Sequence, residues 1–177
     1  MGDLTSRLRN LYFDVDQWDG FPNKRAELIG WMKANNVRNT LLVCGDVHAG
    51  FASKIVLGAG NELPVVTAPA ISSQTLGEEL HDQAVPLLGS AIADALIAQI
   101  DGLLKASNQT SAMPIDFVKT DVHGFAVVEI DGSGAKTTLH MIPHTEVTTD
   151  YAQTPSALAA KFSTKVWTYA GGTVTAV

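Results

Sequence analysis

The chain has 177 residues, of which 46% are hydrophobic and 17% charged, so it holds enough apolar side chains for one packed domain and is not disordered. Its formal net charge is −6 and its 12 Lys and Arg residues are scattered, which argues against a nucleic-acid-binding surface. We expect no membrane partner, because no apolar stretch is long and uninterrupted enough to span a bilayer. The charged opening "MGDLTSRLRNLYFDVD" is not that of a signal peptide, and the compartment, cytoplasmic or periplasmic, stays open.

The first predicted elements are a helix and a short strand. "NKRAELIGWMKANN", from about residue 23 to 35, places Leu28, Ile29 and Met32 at helical spacing, and Pro22 suits the start of this helix. "NTLLVCG" follows as an apolar run of strand length that ends at Gly45. It contains Cys44, the single cysteine, so an intramolecular disulfide and a multi-cysteine zinc site are excluded, and we expect a buried thiol.

The middle of the chain predicts a hairpin and then helices. "FASKIVLGAGN" and "ELPVVTAP" are typical of two strands joined by a glycine turn, and "ISSQTLGEELHD" predicts a short helix. A longer helix is predicted over residues 87–105. Leu88, Ile92, Leu96 and Ile100 follow one face of it at intervals of four residues.

The last third is rich in predicted strands. "IDFVKT", "GFAVVEID" and "AKTTLHMIP" alternate between apolar and polar residues, and "GSG" suits a tight turn between the last two. A helix is expected from Thr154, with this threonine as N-cap and Pro155 at the first helical position. "KVWTYAGGTVTAV" favours a final hairpin. The fold class is therefore α/β, a mixture of α and β elements with antiparallel strands late in the chain.

Asp46 and His48 follow the predicted strand at "CGDVH". Carboxylate and imidazole side chains are good ligands for zinc, iron or manganese, and residues i and i+2 of an extended loop point the same way. The alternative is an ordinary polar turn, in which Asp46 accepts backbone hydrogen bonds and His48 has no role.

Other polar segments allow two interpretations each. In "FDVDQWDGFP", Asp14, Asp16 and Asp19 flank a tryptophan, and they either line a ligand site or favour the start of the following helix electrostatically. His123, just before a strand, is a metal ligand, a residue that orients a ligand, or a hydrogen-bonded core group. The Ser72, Ser73 and Thr75 segment either contacts a phosphate or forms turns and helix caps.

Several stretches in one order resemble a known family. "DQWDGFPNKRAELIGWM", "NTLLVCGDVHAGF", "VTAPAISSQTL" and "HGFAVVEI" are similar to the C-terminal half of alkaline phosphatase D-like metallophosphatases, within the metallophosphoesterase superfamily. The match runs from about Leu4 to Thr164. The resemblance implies one domain over residues 1–177 that is the C-terminal portion of the catalytic domain, with part of a β-sandwich flanked by helices.

The resemblance also implies an activity and site residues. It implies hydrolysis of phosphomonoesters or phosphodiesters by water activated at a two-metal centre, with iron and calcium expected and zinc or manganese possible. Asp46 and His48 are the metal-ligand candidates, and Asp19 and His123 are the candidates for other active-site residues. The ligand motifs of the family's N-terminal half have no counterpart in these 177 residues.

Two metal ions need more ligands than Asp46 and His48 can provide. We therefore expect the site to be completed by a missing N-terminal half or by a homo-oligomer. We also expect a half-sandwich without one of its sheets to expose an apolar face and an unpaired edge. The alternative function is a non-catalytic structural or interaction module that retains the half-fold.

Overall fold

The computed structural model describes residues 21–107 and 113–177. The helices of this part are α1 Pro22–Ala34, α2 Leu76–Leu88, α3 Ser90–Ser107 and α4 Pro155–Ala159, with a 3-10 helix at His144–Thr148. The strands are β1 Leu42–Cys44, β2 Gly50–Gly58, β3 Asn61–Thr67, β4 Ile115–Lys119, β5 Val122–Asp131, β6 Gly134–Pro143, β7 Ser163–Ala170 and β8 Thr173–Ala176. The predicted mixed α/β class is confirmed.

The strands form two four-stranded sheets. In the first sheet the order is β1-β3-β2-β4, with β1 parallel to β3 and the other pairs antiparallel. The second sheet is an antiparallel meander in the order β5-β6-β7-β8. Both predicted hairpins, β2–β3 and β7–β8, are present, because a glycine turn joins each pair of strands.

The two sheets pack face to face. Ala52 and Val66 of the first sheet form one buried cluster with Leu139, Met141 and Trp167 of the second. Their apolar contact supplies the hydrophobic stabilisation of this interior. The apolar sheet face that we expected to be exposed is therefore covered in the described residues, because two sheets pack on each other there.

Helix α1 covers part of the opposite face of the first sheet. Ile29 and Met32 pack against a second cluster, formed by Ile55, Leu57 and Leu63, as the helical spacing predicted. Leu28, predicted on the same face, is 37% exposed. The apolar stripe is thus narrower than predicted, and no residue of α1 is fully buried.

Strand β1 lies at the edge of its sheet. Val43 is 57% exposed and Cys44 is exposed as well, so the expectation of a buried thiol is wrong. The reason is topological: within residues 21–107 and 113–177, β1 pairs with β3 on one side and with no strand on the other. Partial burial nevertheless raises the pKa of the Cys44 thiol.

Two helix predictions need correction in detail. Helix α3 buries Ile100, but Ile92 is 58% exposed, so the four-residue spacing does not mark a continuous buried face. Thr154 precedes α4 without donating or accepting a capping hydrogen bond through its side chain. None of the helices in the described ranges has both the length and the apolar character required to cross a membrane.

Candidate functional site

The loop after β1 carries Asp46 and His48 in an uncommon backbone conformation. Their φ angles are +71° and +56°, in the left-handed region that residues with side chains rarely adopt. Between them, the Val47 N–H donates to the Gly45 carbonyl at 2.9 Å, which tightens the bend. The loop is therefore bent and not extended, and the argument that alternate residues point the same way does not apply here. Strained backbone of this kind is found preferentially at functional sites.

A carboxylate holds the His48 ring in place. Nδ1 of His48 lies 3.1 Å from Oε1 of Glu79, and the two side chains are about one-third exposed. When Nδ1 carries the ring proton, it donates to Glu79 and leaves Nε2 as an acceptor. A histidine oriented by a carboxylate in this way is the usual arrangement for metal-ligating imidazoles.

The start of α2 connects this loop to a second one. The Leu76 N–H donates to the His48 carbonyl at 3.0 Å, and the Gly77 N–H donates to the Thr120 carbonyl at 2.8 Å. The next two N–H groups, those of Glu78 and Glu79, donate to the hydroxyl and the carbonyl oxygen of Thr75. All four N–H groups of this first turn thus have protein acceptors, which positions the His48 loop beside the Thr120 loop.

Thr75 is the N-cap of α2 and is fully buried. Its hydroxyl accepts from the Glu78 N–H and donates to Oδ1 of Asp121 at 3.0 Å, while its own N–H donates to Glu78 Oε2 at 2.8 Å. This capping box satisfies the helix end. Because the hydroxyl already has both partners, the interpretation of Thr75 as a helix cap is confirmed and that of a phosphate donor receives no support.

Asp121 also holds a second histidine. Its Oδ1 lies 2.7 Å from Nδ1 of His144, whose side chain is 33% exposed. The backbone before Asp121 is fixed by α3, since Oδ1 of Asp101 accepts from both the N–H and the hydroxyl of Thr120, at 2.9 and 2.8 Å. The position of His144 is thus set by contacts that extend from α3 through the loop between β4 and β5.

Electrostatics link Glu78 to the histidines of this region. The pKa of Glu78 lies below its usual value, mainly because its carboxylate accepts a hydrogen bond from the Thr75 N–H. Burial acts in the opposite direction. The Thr75 hydroxyl and the electrostatic effect of His144 and His123 lower the pKa further. Glu78 is therefore an ionised carboxylate at neutral pH.

His123 lies at the start of β5 and is only 4% exposed. Its Nδ1 has no hydrogen-bond partner among the described residues. The next residue, Gly124, donates its N–H to the Ala70 carbonyl, and a Cβ there would lie 1.9 Å from the His140 carbonyl oxygen. Glycine is therefore required at this position, since it lets β5 approach β6 closely enough to bury His123.

The predicted site residues have different outcomes. Asp46 and His48 share one loop, and contacts through α2 connect this loop to the region of His123. Asp19 lies outside the described residues. Of the remaining histidines, His81 pairs with Asp94 at 2.9 Å, and His140 stacks on Phe125 with ring centroids 4.8 Å apart.

Four residues of this region were not predicted from the sequence: Glu78, Glu79, Asp121 and His144. Glu78 had a signal, because Thr75 and Glu78 have the T-x-x-E spacing of a capping box. The contacts of Glu79, Asp121 and His144 join positions far apart in sequence, and no local spacing indicates them.

Asp46 and His48 suit a hard or borderline metal ion by their donor atoms, and the Glu79 contact suits a ligating role of His48. Residues 21–107 and 113–177 contain no cluster of three or more His, Cys, Asp or Glu side chains arranged to hold a metal.

Comparison with known proteins agrees with the resemblance. The family model for PhoD-like phosphatases matches residues 3–139. Alkaline phosphatase D from Bacillus subtilis (strain 168) is 40% identical over 43 residues, which are 24% of this chain and 7% of that relative. No solved structure matches the chain. Since the family model covers well over half of the sequence, the chain belongs to the PhoD-like phosphatase family.

Proposed function

We propose that this protein takes part in metal-dependent hydrolysis of phosphate esters, with Asp46 and His48 as ligands in a two-metal site. The observation that carries the proposal is the His48–Glu79 contact on a bent loop at the end of β1, in a chain of a phosphatase family. When bound, a pair of metal ions such as iron and calcium, or zinc or manganese, supplies charge stabilisation and an activated water.

The chain's own residues have the following proposed roles. Glu79 orients the His48 ring and retains the proton on Nδ1, so that Nε2 would be free to hold a metal ion. Asp46, exposed at the surface of the loop, provides carboxylate oxygens. Helix α2 holds the loop through the bond from the Leu76 N–H to the His48 carbonyl. His123 and Asp19 remain proposals as further active-site residues.

We further propose that the site is completed by ligands from outside residues 21–107 and 113–177. The chain would then act as a C-terminal portion of a catalytic domain, with the remaining ligands from an N-terminal half or from another copy of the chain. Among the described residues β1 pairs with a strand on one side only, and its Val43 and Cys44 are exposed. This supports a partner, because an unpaired strand edge is a ready surface for pairing.

The deciding experiment is elemental analysis of the purified protein beside Asp46→Ala and His48→Ala. His81→Ala is the matched control, since His81 pairs with Asp94 away from the loop. We expect stoichiometric metal in the wild type and control, and loss of metal in both loop variants, followed by phosphoesterase assays of the metal-bound form. A folded wild type that takes up no metal, alone or in its native assembly, would contradict the proposal.

The second candidate is a non-catalytic interaction module. The edge strand β1, with Val43 and Cys44 exposed, is the observation that favours it. The same experiment separates the two functions, and the oligomeric state by light scattering adds a second criterion. A monodisperse monomer of 18.8 kDa would contradict the predicted association in both cases.

A further inference from the structure

A cleft of about 670 Å³ lies between β5 and the segment that leads to β7. Its lining residues include the aromatic residues Phe125, Tyr151 and Phe162, together with Val147 and Ile71. The volume is in the range of small-molecule sites, which are mostly apolar with few polar groups. None of the residues proposed as metal ligands lines this cleft.

We propose that this cleft binds the aromatic ring of a small ligand. We further propose that the ligand is an aryl phosphate, in which this ring is the aryl group esterified to the phosphate. The second part rests on the phosphoesterase function proposed above. His123 lines the cleft and follows two residues after Asp121, whose carboxylate accepts from the Thr75 hydroxyl at the start of α2. A phosphate attached to a ring in the cleft, on the His123 side, would therefore lie toward the start of α2.

The aromatic walls support a planar ligand. Phe125 and Phe162 meet edge to face, with ring centroids 6.2 Å apart and an interplanar angle of 62°. A further aromatic ring gains both apolar burial and favourable edge or face contacts from such walls. Phe125 is 43% exposed, so a ligand can still cover it.

The polar groups at the rim bond to one another. Glu146 accepts from the Tyr151 hydroxyl and from Nζ of Lys161, the latter at 2.8 Å. Both hydrogen bonds lower the pKa of Glu146, and the bond from Lys161 has the larger effect. Glu146 is thus ionised and paired. Tyr151 thus presents its ring, rather than a free hydroxyl, to the cleft.

One polar atom of a residue that lines the cleft has no partner among the described residues. Nδ1 of His123 is buried without a hydrogen bond among the described residues. A buried unsatisfied nitrogen is costly, and in a native structure it calls for an explanation such as a bound water or a catalytic role. The protein thus leaves one polar group of a cleft-lining residue without a partner among the described residues.

The test uses 2-naphthol, a neutral aromatic probe without phosphate, with the full chain and isothermal titration calorimetry. Val147→Trp and Ile71→Trp each add a bulky side chain at an exposed residue that lines the cleft. Ile130→Trp is the matched control, because Ile130 is 75% exposed and is not part of the cleft. We expect binding to the wild type and control, and about tenfold weaker binding to both filled variants.

Equal affinity in all four proteins, or no binding to the wild type, would overturn the cleft as a binding site.

The link to the reaction is tested by the ratio of kcat/KM for 1-naphthyl phosphate to that for glycerol 2-phosphate. Val147→Trp should lower this ratio about tenfold. An unchanged ratio overturns the aryl ester as substrate. These rates are measured on the metal-bound assembly. If that assembly hydrolyses neither ester, the phosphoesterase function fails, while the 2-naphthol result still decides whether the cleft binds aromatic rings.

Discussion

His48 and Glu79 are 31 residues apart in sequence, and their side chains meet at 3.1 Å between Nδ1 and Oε1. The contact joins the loop after β1 to the first turn of α2, where the Leu76 N–H also binds the His48 carbonyl. Ring and backbone of His48 are thus held by the same helix, which leaves the orientation of Nε2 well defined.

Glu79→Gln should weaken metal binding by about 10–100-fold, because the amide does not retain the ring proton on Nδ1 as the carboxylate does. The measurement is metal affinity by competition with a chelator, in the assembly that binds metal. Glu27→Gln is the control, since Glu27 is exposed on α1 and pairs only with Lys24 among the contacts described. Equal affinities of Glu79→Gln and the control would refute the orienting role.

Thr75→Val should lower the free energy of unfolding by about 1–2 kcal/mol, because it removes an N-cap and the hydroxyl that donates to Asp121. Denaturant titration measures the change. Thr75→Ser keeps the hydroxyl and is the control, with a smaller expected loss. If serine and valine destabilise the protein equally, packing and not hydrogen bonding explains the role of this residue.

The Glu78 carboxylate should make stability depend on pH in acid. Its pKa is lowered from 4.5 on folding, mainly by the Thr75 N–H, so its contribution is present above 4.5 and is lost as the pH falls through the lower native pKa. Glu78→Gln keeps the capping-box geometry without this ionisation. The difference in unfolding free energy between wild type and variant should therefore shrink below pH 4.5. A difference that is constant over this range would contradict the assignment.

Gly124→Ala should destabilise the second sheet by about 1–3 kcal/mol or more, since its Cβ would lie 1.9 Å from the His140 carbonyl oxygen and push β5 away from β6. Thermal unfolding measures this loss. The matched control is Gly132→Ala in the β5–β6 turn, where no atom lies within 4 Å of the added Cβ. Similar stabilities of the two variants would show that the strands separate easily at this point.

Local sequence patterns determined which segments form helices and strands. The alternation in "GFAVVEID" and "AKTTLHMIP" predicted β5 and β6, and the apolar spacing around Ile29 and Met32 predicted the buried side of α1, because periodicity follows the geometry of each element. The ordered motifs around Asp46 and His48 also identified the family, which a match over residues 3–139 bears out.

Only the tertiary structure decided burial and the neighbours of the site residues. Cys44 and Ile92 are exposed because burial depends on which elements cover a strand or helix, and their own segments do not specify this. Glu79 and His144 join the site region through contacts with His48 and Asp121, which lie far from them in sequence. Such contacts form only when strands and helices pack together, so local sequence patterns do not predict them.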